Sequence, residues 1–251
     1  MKKNAGDLNG KFAIITGASG GIGSATALDF AREGAEGIVI ADLNEEGAKL
    51  VIDTISGETL CECLFVKTNI GKPEDIRNLF DVSLKHFKRI DIMVNCAGIC
   101  NTFGIDEIDA EHWDKLMSIN LRGTYLCARE ALIIMRKQKS GKIINVSSIS
   151  GRIGGIATGI DYATSKGALI AMTMSLAKMA GPFNINVNAV APGFINTELT
   201  KDFKHFNPET VPLKRVGKPE DVANVITFLA SEKSSYITGS TIDINGGVYM
   251  S

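Results

Sequence analysis

A tyrosine and a lysine stand four residues apart in the stretch YATSK, as Tyr162 and Lys166. On a helix that spacing places both side chains on one face. A free phenol has a pKa of about 10, and a nearby ammonium favours the phenolate and lowers that value. An acid/base group works best when its pKa is close to the working pH. The pair is therefore suited to moving a proton on or off a carbonyl or alcohol oxygen while a hydride moves elsewhere. Tyr-x-x-x-Lys also arises by chance, so the pair needs a context.

A second constellation supplies one. TGASGGIG, residues 16–23, follows an apolar run and opens a helical pattern. Gly17, Gly21 and Gly23 would let the backbone turn tightly and approach a diphosphate. The N–H groups of the following helix would then face its negative charge. The spacing is Gly-x3-Gly-x-Gly, distinct from the commoner Gly-x-Gly-x-x-Gly fingerprint. Asp42 closes the second predicted strand, about 20 residues beyond the loop, where an acidic side chain bonds a ribose 2′-hydroxyl. It would also repel a 2′-phosphate. Gly20 occupies a loop position where a basic residue could have met that phosphate, and the turn ADLN has no arginine. These residues favour NAD over NADP. The competing reading of Asp42 is a helix-capping aspartate.

The other reactive side chains form no such pattern. Cys61, Cys63, Cys96, Cys100 and Cys127 are odd in number and lack Cys-x-x-Cys spacing. Cys96 and Cys100 have no histidine nearby, so ordinary thiols and no metal site are expected. Thiols of this kind suit a reducing cytoplasm. His86, His112 and His205 are scattered.

The elements that must hold these groups follow a strand–helix rhythm. Strands are predicted at 11–16, 37–42, 61–69, 89–98, 141–148, 184–193 and 239–247. Between them lie helical patterns: one opening at Gly21 and closing at Gly34, one capped by Asn44, and one with Pro73 in its first turn. Further helices are expected over about 111–138, with a break near Gly123, then at 161–181 and 219–231. Several strands are apolar on both faces, which implies a doubly wound α/β fold with a parallel sheet covered by helices. One Rossmann-type domain over residues 1–251 is expected, with no linker or repeat. The 27 basic and 28 acidic residues leave a net charge of −1, which calls for neither nucleic acid nor an anionic membrane. The N-terminus has no apolar run of a signal peptide, and no stretch is long enough for a membrane helix.

TGASGGIG, NCAG (95–98), the serine pair at 147–148, YATSK and PGFINT (192–197) occur in an order that resembles the short-chain dehydrogenase/reductase family. The resemblance spans Lys11 to about Tyr249. It implies a catalytic set of Asn120, Ser148, Tyr162 and Lys166. Tyr162 would be the acid/base, Lys166 would lower its pKa and bond the nicotinamide ribose, and Ser148 would bond the substrate oxygen. Asn120 would hold a water of the proton relay. Ser147 is set aside, because strand alternation sends the two hydroxyls to opposite faces. The coenzyme would lie along Gly17, Ser19, Gly21, Ile22, Gly23, Asp42, Asn69, Ile70, Asn95, Ala97 and Gly98. It would continue past Tyr162 and Lys166 to Pro192, Gly193, Ile195 and Thr197.

Three departures stand out. Asn69 sits where the family often has Asp, near the adenine, and Cys96 replaces an asparagine. The run from Ser148 to Tyr162 is 14 residues, about one longer than expected, so substrate shape is the property it affects.

The C-terminal end, residues 211–250, looks like the 3-oxoacyl-carrier-protein reductase branch, which implies NADPH and a basic patch for the carrier. Asp42 argues against NADPH, and Phe183 stands near one basic position of that patch, although Lys139 could supply another. A short lid at about 194–215 would carry Phe203 and Phe206, facing the pocket or packing the lid down. The favoured reading is an NAD-dependent dehydrogenase of a secondary alcohol or ketone: a polyol, sugar acid or hydroxyacyl compound. The alternatives are a 3-oxoacyl-carrier-protein reductase and a non-catalytic NAD-binding protein. The resemblance also implies a homotetramer built on the helices at 111–138 and 161–181 and on the C-terminal strand.

Overall fold

Apolar runs bounded by turns form the sheet. The structure, a computed structural model, describes residues 6–155, 158–201 and 207–251. Seven strands are found among the described residues: β1 Phe12–Thr16, β2 Gly37–Asp42, β3 Glu62–Lys67, β4 Ile92–Asn95, β5 Gly141–Val146, β6 Ile185–Pro192 and β7 Thr241–Ile244. They make one sheet in the order β3-β2-β1-β4-β5-β6-β7. Every pairing is parallel. The chain winds outward in one direction from β1 and in the other from β4. A crevice therefore opens beyond the C-terminal ends of these two strands.

Helices cover both faces. They are α1 Gly21–Arg32, α2 Glu45–Glu58, α3 Pro73–Phe87, α4 Ala110–Met117, α5 Thr124–Gln138, α6 Ser150–Ile153, α7 Ile160–Ala180 and α8 Pro219–Ala230. Strand alternation divides the core in two. Ala13, Ile15, Ile38, Ile40, Ile92 and Val94 join Phe30 and Ile226 under α1 and α8. Ile14, Val39, Met93 and Ile143 join Leu79, Ala131 and Leu176 under α3, α5 and α7. Full burial of a side chain such as Phe30 contributes roughly 1.5–3 kcal/mol.

Local signals set the boundaries. Asn44 caps α2 by accepting from Gly47 N at 3.0 Å, and Glu45 and Glu46 follow in the first turn. Pro73 starts α3, whose buried Ile76, Leu79, Phe80, Ser83 and Phe87 form one stripe. α1 ends at Arg32, and Gly34 turns the chain with φ +87°.

The helix expected over 111–138 is two α-helices joined by a widened π segment, Ser118–Gly123. Gly123 is buried there. A Cβ on it would lie 2.3 Å from the Ile70 carbonyl oxygen, so this crossing requires glycine. The widened turn carries Asn120. The short α6 was not anticipated in the sequence. No helix among the described residues is long and apolar enough to cross a membrane.

Candidate active site

Loops at the C-terminal strand ends enclose a cavity of about 370 Å³. The glycine turn forms one wall. Gly17 has φ +68°, and a Cβ there would lie 2.8 Å from Ala97 Cα. Gly21 has φ +53° and lies against Thr197. No side chain caps the N-terminus of α1, and the space beside Gly20, where a Cβ would stand, is open. First-turn N–H groups thus lack a side-chain acceptor, and this cradle fits a diphosphate. Thr16 fastens the two strands at the crevice: its Oγ1 accepts from Cys96 N and Ala97 N, both at 3.2 Å.

Asp42 lines the same cavity. Its Oδ2 accepts from Ser19 N and its Oδ1 from Asn44 N, both at 3.0 Å. The helix cap is Asn44, so the capping reading of Asp42 does not hold. Lys166 is the one cationic side chain lining the cavity among the described residues, against the carboxylates of Asp42 and Glu198.

Ser148, Tyr162 and Lys166 meet at the inner end. The Ser148 hydroxyl lies beside the Tyr162 phenol and accepts from Ser150 N at 3.1 Å. Strand β5 ends at Val146, so simple alternation does not govern the serine pair. The two hydroxyls still diverge, because Ser147 Oγ donates to Lys166 O at 2.7 Å. Lys166 Nζ donates to Val146 O at 2.8 Å and lies 5.6 Å from the Tyr162 ring centroid.

The expected lowering of the phenol pKa is not found. Burial pushes the Tyr162 phenol above its ordinary range, and the neighbouring Ser148 hydroxyl pulls only partly the other way. Burial also lowers Lys166 to about 8. Desolvation thus disfavours the charged form of each group.

Most predicted coenzyme residues line the cavity: Gly17, Ser19, Gly21, Ile22, Asp42, Asn69, Ile70, Ala97, Gly98, Pro192, Gly193, Ile195 and Thr197. Three predicted site residues do not. Gly23 is a packing glycine, since its Cβ would lie 2.1 Å from Gly17 O. Asn95 turns into the sheet, where its Nδ2 donates to Asn145 Oδ1 at 2.9 Å and its own Oδ1 has no partner. Asn120 is fully buried and grips Ile99 from both sides, accepting from its N at 2.9 Å and donating to its O at 2.8 Å. Its Nδ2 also reaches Ser165 Oγ at 3.3 Å.

Asn69 Oδ1 accepts from Gly71 N at 2.9 Å, so local turn formation already engages the amide oxygen expected to face the adenine. Sequence reading missed Leu43, Thr68, Ile99, Ile119, Leu199 and Thr200 in the lining. Each follows a strand end or sits in an irregular turn, where only the fold reveals proximity. Burial raises the thiols of Cys96 and Cys100 to about 12, against the pull of Lys166, so both are neutral thiols. No metal-ligating cluster exists among the described residues. Phe203 and Phe206 lie outside the described residues.

The sheet order, the crevice and the glycine cradle define a doubly wound dinucleotide-binding protein. Residues 17–249 match the family model described as Enoyl-(Acyl carrier protein) reductase. A 3-oxoacyl-(acyl-carrier-protein) reductase of Aquifex aeolicus is 39% identical over 246 residues, covering 96% of this chain and 98% of the relative. Its counterpart from Thermotoga maritima is 40% identical over 245 residues, with the same coverage of each chain. The crystal structure of a short-chain type dehydrogenase/reductase from Mycobacterium marinum superposes with a TM-score of 0.93 at 35% identity, covering 98% of both chains. The chain belongs to the short-chain dehydrogenase/reductase family. It is an oxidoreductase acting on a CH–OH/ketone pair with a nicotinamide coenzyme.

Proposed function

We propose that the protein reduces a 3-oxoacyl thioester to the 3-hydroxyacyl thioester, with NADH as the coenzyme. Relatives at 39% and 40% identity bear the name 3-oxoacyl-(acyl-carrier-protein) reductase, which favours this substrate class over the polyol and sugar acid readings. The single observation that carries the coenzyme choice is Asp42. Its carboxylate lines the cavity beside Ser19, so a 2′-phosphate there would meet a like charge.

The glycine cradle and the first turn of α1 would hold the diphosphate. Gly98, Pro192, Gly193 and Lys166 would border the nicotinamide end. When bound there, the coenzyme supplies the hydride in reduction or accepts it in oxidation. Ser148 orients the ketone oxygen through its hydroxyl. Tyr162, protonated at neutral pH, delivers the phenol proton to that oxygen. Lys166 stabilises the negative charge left on the phenol oxygen and is itself fixed by Val146 O. The buried Asn120 holds the Ile99 backbone, which forms part of the cavity wall.

A second reading, NAD-linked oxidation of another secondary alcohol, rests on the same carboxylate. Steady-state rates on acetoacetyl-CoA with NADH and NADPH, beside a panel of alcohols with NAD, separate the two. The proposal expects acetoacetyl-CoA with NADH to give the highest kcat/KM. Fast polyol or sugar-acid oxidation with an inert thioester would overturn it.

The assembly is read as a homotetramer. In support, Tyr125 and Ile133 on α5 and Met174 and Met179 on α7 leave large apolar side chains exposed. Light scattering in solution should return about four chain masses.

A further inference from the structure

We propose that Asn101 and Asp161 form a latch that fastens the loop after β4 to the first turn of α7 and thereby positions Tyr162. The proposal rests on reading Tyr162 as the acid/base group. Asp161 is fully buried and immediately precedes Tyr162 in the chain. Its Oδ1 accepts from Tyr162 N at 2.8 Å, and its Oδ2 accepts from Asn101 Nδ2 at 2.8 Å. These two partners are neutral N–H donors. A buried carboxylate is costly unless it is hydrogen-bonded, and the positive end of α7 adds support at this position.

Asn101 is the hub on the loop side. Its backbone oxygen accepts from Gly159 N at 3.0 Å, and its Oδ1 accepts from Phe103 N at 3.2 Å. Gly159 leaves room for the contact. A Cβ there would lie 2.2 Å from Asn101 Oδ1 and 2.5 Å from Asp161 Oδ1. Two residues back, Asn120 grips Ile99 through both backbone groups. The segment between these anchors carries Cys100, whose thiol lies close enough to interact with Tyr162. Neither Asn101 nor Asp161 lines the cavity, so each acts through Tyr162 and the loop. Both are positioning residues.

The geometry makes the pair a unit. Removing either partner frees the same loop and the same helical turn. Losses from Asp161→Ala and Asn101→Ala should therefore be non-additive in the double variant. Asp161→Asn keeps an acceptor for Tyr162 N but sets its own Nδ2 against Asn101 Nδ2, and turning the Asn101 amide would give up the bond from Phe103 N, so this variant keeps only half of the latch.

The test measures acetoacetyl-CoA reduction by NADH, NADH binding and hydrogen exchange of residues 99–103 and 159–163. Wild type, Asp161→Ala, Asn101→Ala, the double variant and Asp161→Asn are compared with Tyr162→Phe. Each alanine variant should lose between about 10- and 100-fold in kcat, as a misplaced group does, with NADH affinity unchanged. The double variant should lose no more than the worse single one. Exchange in both segments should rise together, and Asp161→Asn, which keeps the bond from Tyr162 N, should lose less kcat than Asp161→Ala. Wild-type kcat and exchange in both alanine variants would overturn the latch, as would a kcat loss that merely tracks the unfolded fraction. Wild-type activity in Tyr162→Phe would instead remove the acid/base reading on which the latch rests.

Discussion

The Lys166 ammonium lies 5.6 Å from the Tyr162 ring centroid and is held there by a 2.8 Å hydrogen bond to the carbonyl oxygen of Val146. Both side chains are buried. Desolvation therefore acts on each in the direction of its neutral form: it raises the phenol and lowers the amine to about 8. The phenol is therefore protonated at neutral pH, the form that the reductive direction proposed above requires.

The lysine carries a stability signature. Its folded value of about 8 lies below the usual 10.5. Between those two pH values the unfolded chain binds more protons than the folded one, so stability rises with pH across that window. The cost of burying the charge is fully present below about pH 8. Urea unfolding from pH 7.5 to 10 should show a gain of about 2–3 kcal/mol in the wild type. Lys166→Met should lack that gain. Parallel slopes for both proteins would contradict the burial argument.

Coenzyme choice is read at Asp42. Asp42→Asn keeps an acceptor for the turn N–H groups of Ser19 or Asn44 but removes the charge. A hydrogen bond to a charged group is worth about 1.5–3 kcal/mol. The ratio of kcat/KM for NADH over NADPH should therefore fall roughly ten- to a hundredfold. An unchanged ratio would place the discrimination elsewhere.

Gly23 tests the cradle without touching the cavity. An added methyl would meet Gly17 O at 2.1 Å, so the turn must open. Gly23→Ala should lower stability by about 1–3 kcal/mol, as overpacking does, and weaken NADH binding, read by thermal melts and fluorescence titration. Wild-type values in both would show that the turn tolerates the change.

Much of this architecture was visible in the residues themselves. The apolar runs gave all seven strands, and Asn44, Pro73 and Gly34 marked helix ends, because caps and turns are local chemistry. Gly17, Ser148, Tyr162 and Lys166 were legible since each sits in a short motif tied to a strand end or helix turn. The orientation of Asn95 was not, because its partner Asn145 lies on the neighbouring strand. The widened turn at Ser118–Gly123 packs Gly123 against the Ile70 backbone, a contact between distant parts of the chain that local sequence does not display. The sign of the Tyr162 shift was misread for the same reason: Tyr-x-x-x-Lys spacing encodes proximity, whereas burial depends on everything packed around the pair. The Asn101–Asp161 contact likewise joins residues sixty positions apart.

The most direct test of the central claim is the Tyr162→Phe variant, which keeps the ring and deletes the hydroxyl. Its kcat for acetoacetyl-CoA reduction and its NADH dissociation constant should be measured together. Loss of a positioned proton donor predicts a fall of about 10²–10⁴-fold in kcat with the dissociation constant unchanged. A variant that turns over as fast as the wild type would contradict the account.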